Sequence, residues 1–80
     1  MKWEKGTGFK KYKVTLDNGK VVQFGDTRYQ QYKDVTPLRL YKHLDHNDSK
    51  RRDNYRKRHG ANGYQLKKWT PSWFSWNYLW

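Results

Sequence analysis

Cysteine is missing from this chain of 80 residues, which excludes disulfides and thiolate-bound metal and fits a reducing compartment. Acidic residues are scarce: seven Asp and Glu stand against eighteen Lys and Arg, a formal charge of +11. Hydrophobic residues make up only 34% of the chain, where ordinary globular domains have roughly 45–50%. No stretch approaches the ~20 apolar residues of a membrane span, and the amino terminus carries no apolar leader. A chain this short is expected to form one small domain, residues 1–80, without a membrane span. Its core alone can supply only modest net stability.

Aromatic residues are what the chain has in plenty: five Trp, seven Tyr and three Phe. Low hydrophobicity with high charge would by itself suggest disorder. Fifteen aromatic side chains argue instead for an ordered module. The charge is spread along it, nine basic and four acidic groups in residues 1–40, nine and three in 41–80. Such a protein should draw polyanions by long-range attraction and counterion release.

Local patterns predict an α+β fold in which an N-terminal β-hairpin packs with two or three short α-helices. Tyr12, Val14 and Leu16 alternate with Lys11, Lys13 and Thr15, the period of a strand with one wet face. Asn18-Gly19 then offers positive φ angles for a tight turn, and the hairpin spans 10–24. The preceding WEKGTGF is too short and Gly-rich to carry an element. Residues 28–33 suit a short helix or an extended connector. Thr36-Pro37 marks a helix start for 37–45, with Leu38, Leu40, Tyr41 and Leu44 on its buried face. A second helix is expected at 49–58, ending near Gly60 as C-cap, followed by a loop at 60–63. Thr70-Pro71 repeats the start signal for a third helix, 71–80.

Residues 50–58 hold the clearest functional signal. Lys50, Arg51, Arg52, Arg56, Lys57 and Arg58 are six cations in nine residues, opposed by Asp53 alone. On a helix they surround nearly the whole circumference, and Tyr55 is the one apolar residue among them. A helix so polar projects into solvent or lies against an anion. The expected role is phosphate-backbone binding, with Tyr55 as a secondary contact and nothing that reads base edges. A solvated basic face is the alternative for the same letters.

The tail is the second signal. A helix over 72–80 places Trp73, Trp76 and Trp80 within ~60° of one another, with Phe74 and Tyr78 in a neighbouring stripe. These residues either form the core with Tyr12, Val14, Leu16, Leu40 and Leu44 or anchor in a groove on another protein. Ending on Trp80, the chain sets a carboxylate beside the aromatic face, where it must stay solvated or find a cation. His43, Asp45 and His46 are of metal-ligand type, but acidic capping residues at a helix end explain them as well. No nucleophile elbow or phosphate loop is present. Catalytic residues, a bound metal, a cofactor and a small-molecule substrate are therefore not expected.

Three blocks, FGDTRYQQYKD (24–34), LYKHLDHNDSKRRDNYRKRHG (40–60) and PSWFSWNYLW (71–80), resemble a small family of basic proteins encoded by large double-stranded DNA viruses and some bacteriophages. The family has no established activity, so the resemblance carries over no site residue. It implies a virion-associated protein, located in the virion or the host cytoplasm or nucleus. Two roles suit it: non-specific binding of the genome through the basic helix, or a minor capsid or cement component docking on a capsid protein through the Trp-rich helix.

Overall fold

A glycine-closed turn sets the register of the sheet. In the computed structural model, which describes residues 1–60 and 67–80, β1 (Lys2–Lys5), β2 (Tyr12–Thr15) and β3 (Val21–Phe24) form an antiparallel sheet in that order. Between β2 and β3 the Gly19 N–H donates to the Leu16 carbonyl and the Leu16 N–H to the Lys20 carbonyl, both at 2.8 Å. Only Gly19 of this turn has a positive φ, +87°. The loop is therefore a three-residue turn closed by a left-handed glycine, not a two-residue Asn-Gly turn. Tyr12 lies opposite Phe24 and Val14 opposite Val22, which puts all four on the buried face.

The third strand is a correction to the expected two-stranded hairpin. β1 pairs with β2, Trp3 opposite Val14 and Lys5 opposite Tyr12. The Gly-rich stretch that hid it is its turn: the Gly6 N–H donates to the Lys11 carbonyl at 3.0 Å. A Cβ on Gly6 would sit 2.4 Å from the Lys10 carbonyl oxygen, so this approach of two backbones requires glycine.

Over the sheet lies α2 (Pro71–Tyr78), started by Thr70, whose hydroxyl accepts from the Trp73 N–H. Phe74 stacks on Phe24 with ring centroids 5.4 Å apart, and Trp3 meets Phe74 edge-on at 5.9 Å. The core is Tyr12, Val14, Val22, Phe24, Tyr41, Phe74 and Leu79. Trp73 and Trp80 pack around it half-buried. The expected Trp73–Trp76–Trp80 stripe is thus not the innermost face: Phe74 and Leu79 are. In a chain with few aliphatics, interlocking rings take over the work of Leu and Ile, each edge-on pair adding to plain area burial.

The expected helix at 37–45 does not form. Only one 3-10 turn, Lys42–Leu44, occurs there, and Leu38 and Leu40 face solvent. The reason is competition from side chains for the backbone donors a helix would use. Asp34, fully buried, accepts from the Thr36 N–H (2.9 Å), the Thr36 hydroxyl (2.6 Å), the Tyr41 N–H (3.1 Å) and the Tyr12 hydroxyl. Tyr12 in turn accepts from the Leu40 N–H at 2.8 Å. Thr36 caps a single turn through Arg39, whose φ of +49° already leaves the helical region. The connector at 28–33 is extended from Gln31 onward rather than helical. Its backbone continues the layer between Leu44–Asn47 and the end of α2: Gln31 N–H to Leu44, Lys33 N–H to Leu79 and Val35 N–H to Tyr78.

α1 (Ser49–Gly60) begins at Asp48, whose carboxylate accepts from the Lys50 N–H at 3.0 Å and the Arg51 N–H at 3.3 Å. The fold is α+β, with the sheet first and the two helices after it. The loop expected at 60–63 lies outside the described residues beyond Gly60.

Beside this cap, His46 sits against Trp80 (5.2 Å) and Tyr32 (6.2 Å). Its Nδ1 accepts from the Asp48 N–H, while the buried Nε2 has no partner among the described residues. Burial, helped by Arg51, holds its pKa below the ordinary histidine value against the opposite pull of Asp48 and Asp45. The unfolded chain then binds the proton more readily, so stability is unaffected well above pH 6.5 and falls as pH drops below it. Chemical denaturation at pH 7 and pH 5.5 should show this loss, and His46→Asn should reduce it. Equal losses in both proteins would place the effect elsewhere.

Candidate nucleic-acid interface

The six cations of α1 divide between two faces. At 100° per residue, Tyr55, His59, Arg52 and Arg56 share an arc of about 100°, and Lys57, Lys50, Asn54, Arg58 and Arg51 share one of about 120° on the other side. The first arc packs on the tail. Tyr55 is buried and stacks on Trp80, centroids 4.4 Å apart and planes 6° from parallel, while its hydroxyl donates to Ser75 Oγ at 3.2 Å. Arg52 Nε donates to the Trp80 main-chain oxygen at 3.0 Å, and Arg56 reaches the same oxygen through Nη2 at 3.0 Å. Their guanidinium planes lie over Tyr32 (4.9 Å) and Trp76 (4.8 Å). The half-buried Arg56 has its pKa lowered by loss of solvent and by Arg52.

Two of the six expected phosphate contacts are therefore occupied inside the fold, and Tyr55 is unavailable for stacking on a ligand. This corrects the reading of α1 as cationic all round and detached from the core. Lys50, Arg51, Lys57 and Arg58 remain exposed. Among the described residues, the side chains of Lys50, Lys57 and Arg58 make no hydrogen bond, and Arg51 donates only to Gln30 Oε1 at 2.9 Å. Lys57 and Arg58 lie in the last turn, where the helix dipole favours cations; Lys50 and Arg51 lie in the first, where it does not.

Two depressions flank this face. One, of about 510 Å³, runs between Arg51, Asn54, Lys57, Arg58 and Trp80. The other, an open groove of about 580 Å³, lies between α1, the end of β3 and the start of α2. Its cationic wall is Lys10, Arg51 and Arg58, and Tyr29, Tyr55 and Trp80 are its aromatic side. Lys11 lies at its base, buried, donating to the Tyr29 carbonyl (2.8 Å) and to Gln31 Oε1. Loss of solvent pulls the Lys11 pKa down to about 8, with Asp34, Asp26 and Asp45 acting the other way. Gly25 makes the close approach possible: a Cβ there would sit 2.9 Å from Lys11 Cβ, at a φ of +77°.

The groove draws Lys10, Tyr29 and Gln30 to the basic helix, and the sequence pattern pointed to none of them. Their signal is weak, one cation beside a Gly-rich turn and two residues of an irregular connector. Asp45 and His46 hold the connector and the α1 cap, and His43 is exposed. Asp45 accepts from Gln31 Nε2 (2.6 Å) and the Asp34 N–H (2.8 Å). Among the described residues no three ligand-type side chains converge, and no helix is long and apolar enough to cross a membrane.

Residues 6–59 match a family of unknown function, DUF5754. The chain belongs to this family. The matched span runs from the first hairpin turn to the penultimate residue of α1, so it holds Asp34 and every cation of the exposed arc. It stops short of α2, whose Phe74, with Leu79 just after the helix, completes the core. No curated protein and no solved structure matches the chain significantly.

Proposed function

We propose that the protein binds nucleic acid without catalysis or base specificity, through Lys50, Arg51, Lys57 and Arg58. The observation that carries this reading is the sorting of α1. Arg52, Tyr55 and Arg56 fix the helix to the tail, and the other four cations face outward on a single rigid arc. Cations held on one face of a helix can neutralise successive phosphates without losing a disordered ensemble on binding. The resemblance to proteins of large DNA viruses and bacteriophages supports a genome-associated role in the virion. Docking on a capsid protein through α2 is less favoured, because Phe74 and Leu79 are fully buried and Trp73 and Trp80 are packed against the core.

A salt titration tests the proposal. Binding to a labelled duplex should fall on a log–log slope of about −3.6, four contacts at about 0.9 each. An equally charged polyanion without nucleotide geometry should bind more weakly. Equal affinity for that control would reduce the charge to a general property of the chain and remove the nucleic-acid reading.

A further inference from the structure

Two of the largest exposed apolar side chains, Phe9 (61% exposed) and Tyr29 (65%), both lie against Arg28; Tyr29 lines the groove, and Phe9 precedes its Lys10. The Arg28 guanidinium lies 4.4 Å from the Phe9 ring centroid and 5.8 Å from that of Tyr29. It does not hang freely there. Asp26 holds it through Nη2 at 2.8 Å and Nε at 3.0 Å, and accepts the Arg28 N–H as well. The Thr27 N–H donates to the Phe9 carbonyl at 2.7 Å, which ties the two loops that carry the rings. The pair also neutralises Asp26, an acidic residue lining the groove. From Tyr29 the surface continues through Lys10 and Gln30 to Arg51, which Gln30 holds, and on to Arg58.

Resting on the nucleic-acid reading above, we infer that this surface takes a single strand, whose bases stack on Tyr29 and Phe9, braced by Arg28, while its phosphates follow Lys10, Arg51 and Arg58. Stacked planar groups at one end of a cationic track are what an unpaired strand can use and a duplex cannot, because paired bases keep their faces to themselves. A duplex reads such a surface only through its phosphates. Charge complementarity identifies the occupant: the chain carries +11, and the one acidic residue beside the stack is already paired. Stacking does not depend on base identity, since every base has a π face, so the surface is tolerant of sequence.

The test uses the full chain with four probes of equal length: oligo-dT, oligo-U, an abasic single strand and a mixed-sequence duplex. The wild type should bind oligo-dT and oligo-U more tightly than the abasic strand, which keeps phosphates and lacks bases. Phe9→Ala and Tyr29→Ala should each weaken oligo-dT binding by roughly 5- to 150-fold, the range for loss of one stacked base. Both should leave abasic-strand and duplex affinities within about twofold, a bound set by the phosphate contacts that remain. Both residues are outside the core, and unchanged tryptophan fluorescence checks that the variants are folded. If abasic and base-bearing strands bind alike, or the two variants weaken all probes equally, the single-strand inference is wrong while phosphate binding stands. If no probe binds above the polyanion control, both readings fall together.

Discussion

Asp34→Ala should leave the protein largely unfolded at room temperature. The carboxylate is fully buried, and each of its oxygens serves two donors: Oδ1 the Thr36 N–H and hydroxyl, Oδ2 the Tyr41 N–H and the Tyr12 hydroxyl. Alanine removes the acceptor and leaves the donors in place. A buried donor without a partner costs roughly 1–3 kcal/mol, so leaving even three of the four unpaired costs at least about 3 kcal/mol. A core this small rarely supplies more than about 3–5 kcal/mol. The damage also spreads, because Tyr12 opens β2, the middle strand of the sheet, and passes the contact on to Leu40. Asp34→Asn should do less harm, since its carbonyl oxygen can keep Thr36 and its amide can donate to the Tyr12 hydroxyl, which leaves the Tyr41 N–H as the donor without an acceptor. Urea denaturation followed by tryptophan fluorescence separates these outcomes. A midpoint for Asp34→Ala close to that of wild type would mean the segment 31–45 is held by something other than this carboxylate.

The same network explains what the sequence could and could not reveal. β2, β3 and both helices carry local marks: alternation around Val14 and Val22, a glycine in the Leu16–Lys20 turn, Asp48 before α1, and Thr70-Pro71 before α2. These elements form where those marks stand. β1 has one apolar residue, Trp3, between charged neighbours, so its strand character comes from pairing with β2 and not from its own pattern. Thr36-Pro37 carries the same letters as Thr70-Pro71 and yields no helix. The difference is Asp34, two residues earlier, which engages Thr36 before a helix can form. At the site, the density of cations was legible and their division was not. Arg52 and Arg56 are assigned to the core side by Trp80 and Trp76, twenty or more residues away. Phe9 and Tyr29 share Arg28 across two loops that the Thr27 N–H joins to the Phe9 carbonyl, and no local pattern marks that pairing.

That division gives the second large effect. A triple reversal, Lys50→Glu, Lys57→Glu and Arg58→Glu, should abolish nucleic-acid binding and keep the fold. All three side chains are exposed, and among the described residues none of them makes a hydrogen bond. Glu at 50 suits the positive end of the helix dipole and Glu at 57 and 58 does not, each by about 0.3–1 kcal/mol, so the net change in stability is small. Binding has no such offset. Three lost phosphate contacts should flatten the duplex salt slope by about 2.7, which at 0.1 M salt removes two to three decades of affinity on the order-of-magnitude counterion argument. Arg52→Gln with Arg56→Gln should do the reverse. Trp80 loses the donors to its main-chain oxygen, Tyr32 and Trp76 lose their cations, and the thermal midpoint drops while the folded fraction still binds. Measuring affinity and melting temperature on both variants separates anchoring cations from phosphate-facing ones. If the exposed triple variant binds within a few-fold of wild type, the phosphates are met elsewhere and α1 is only a solvated face. If the Arg52 and Arg56 pair instead carries the binding loss without a drop in melting temperature, those two side chains must leave Trp80 to reach the ligand.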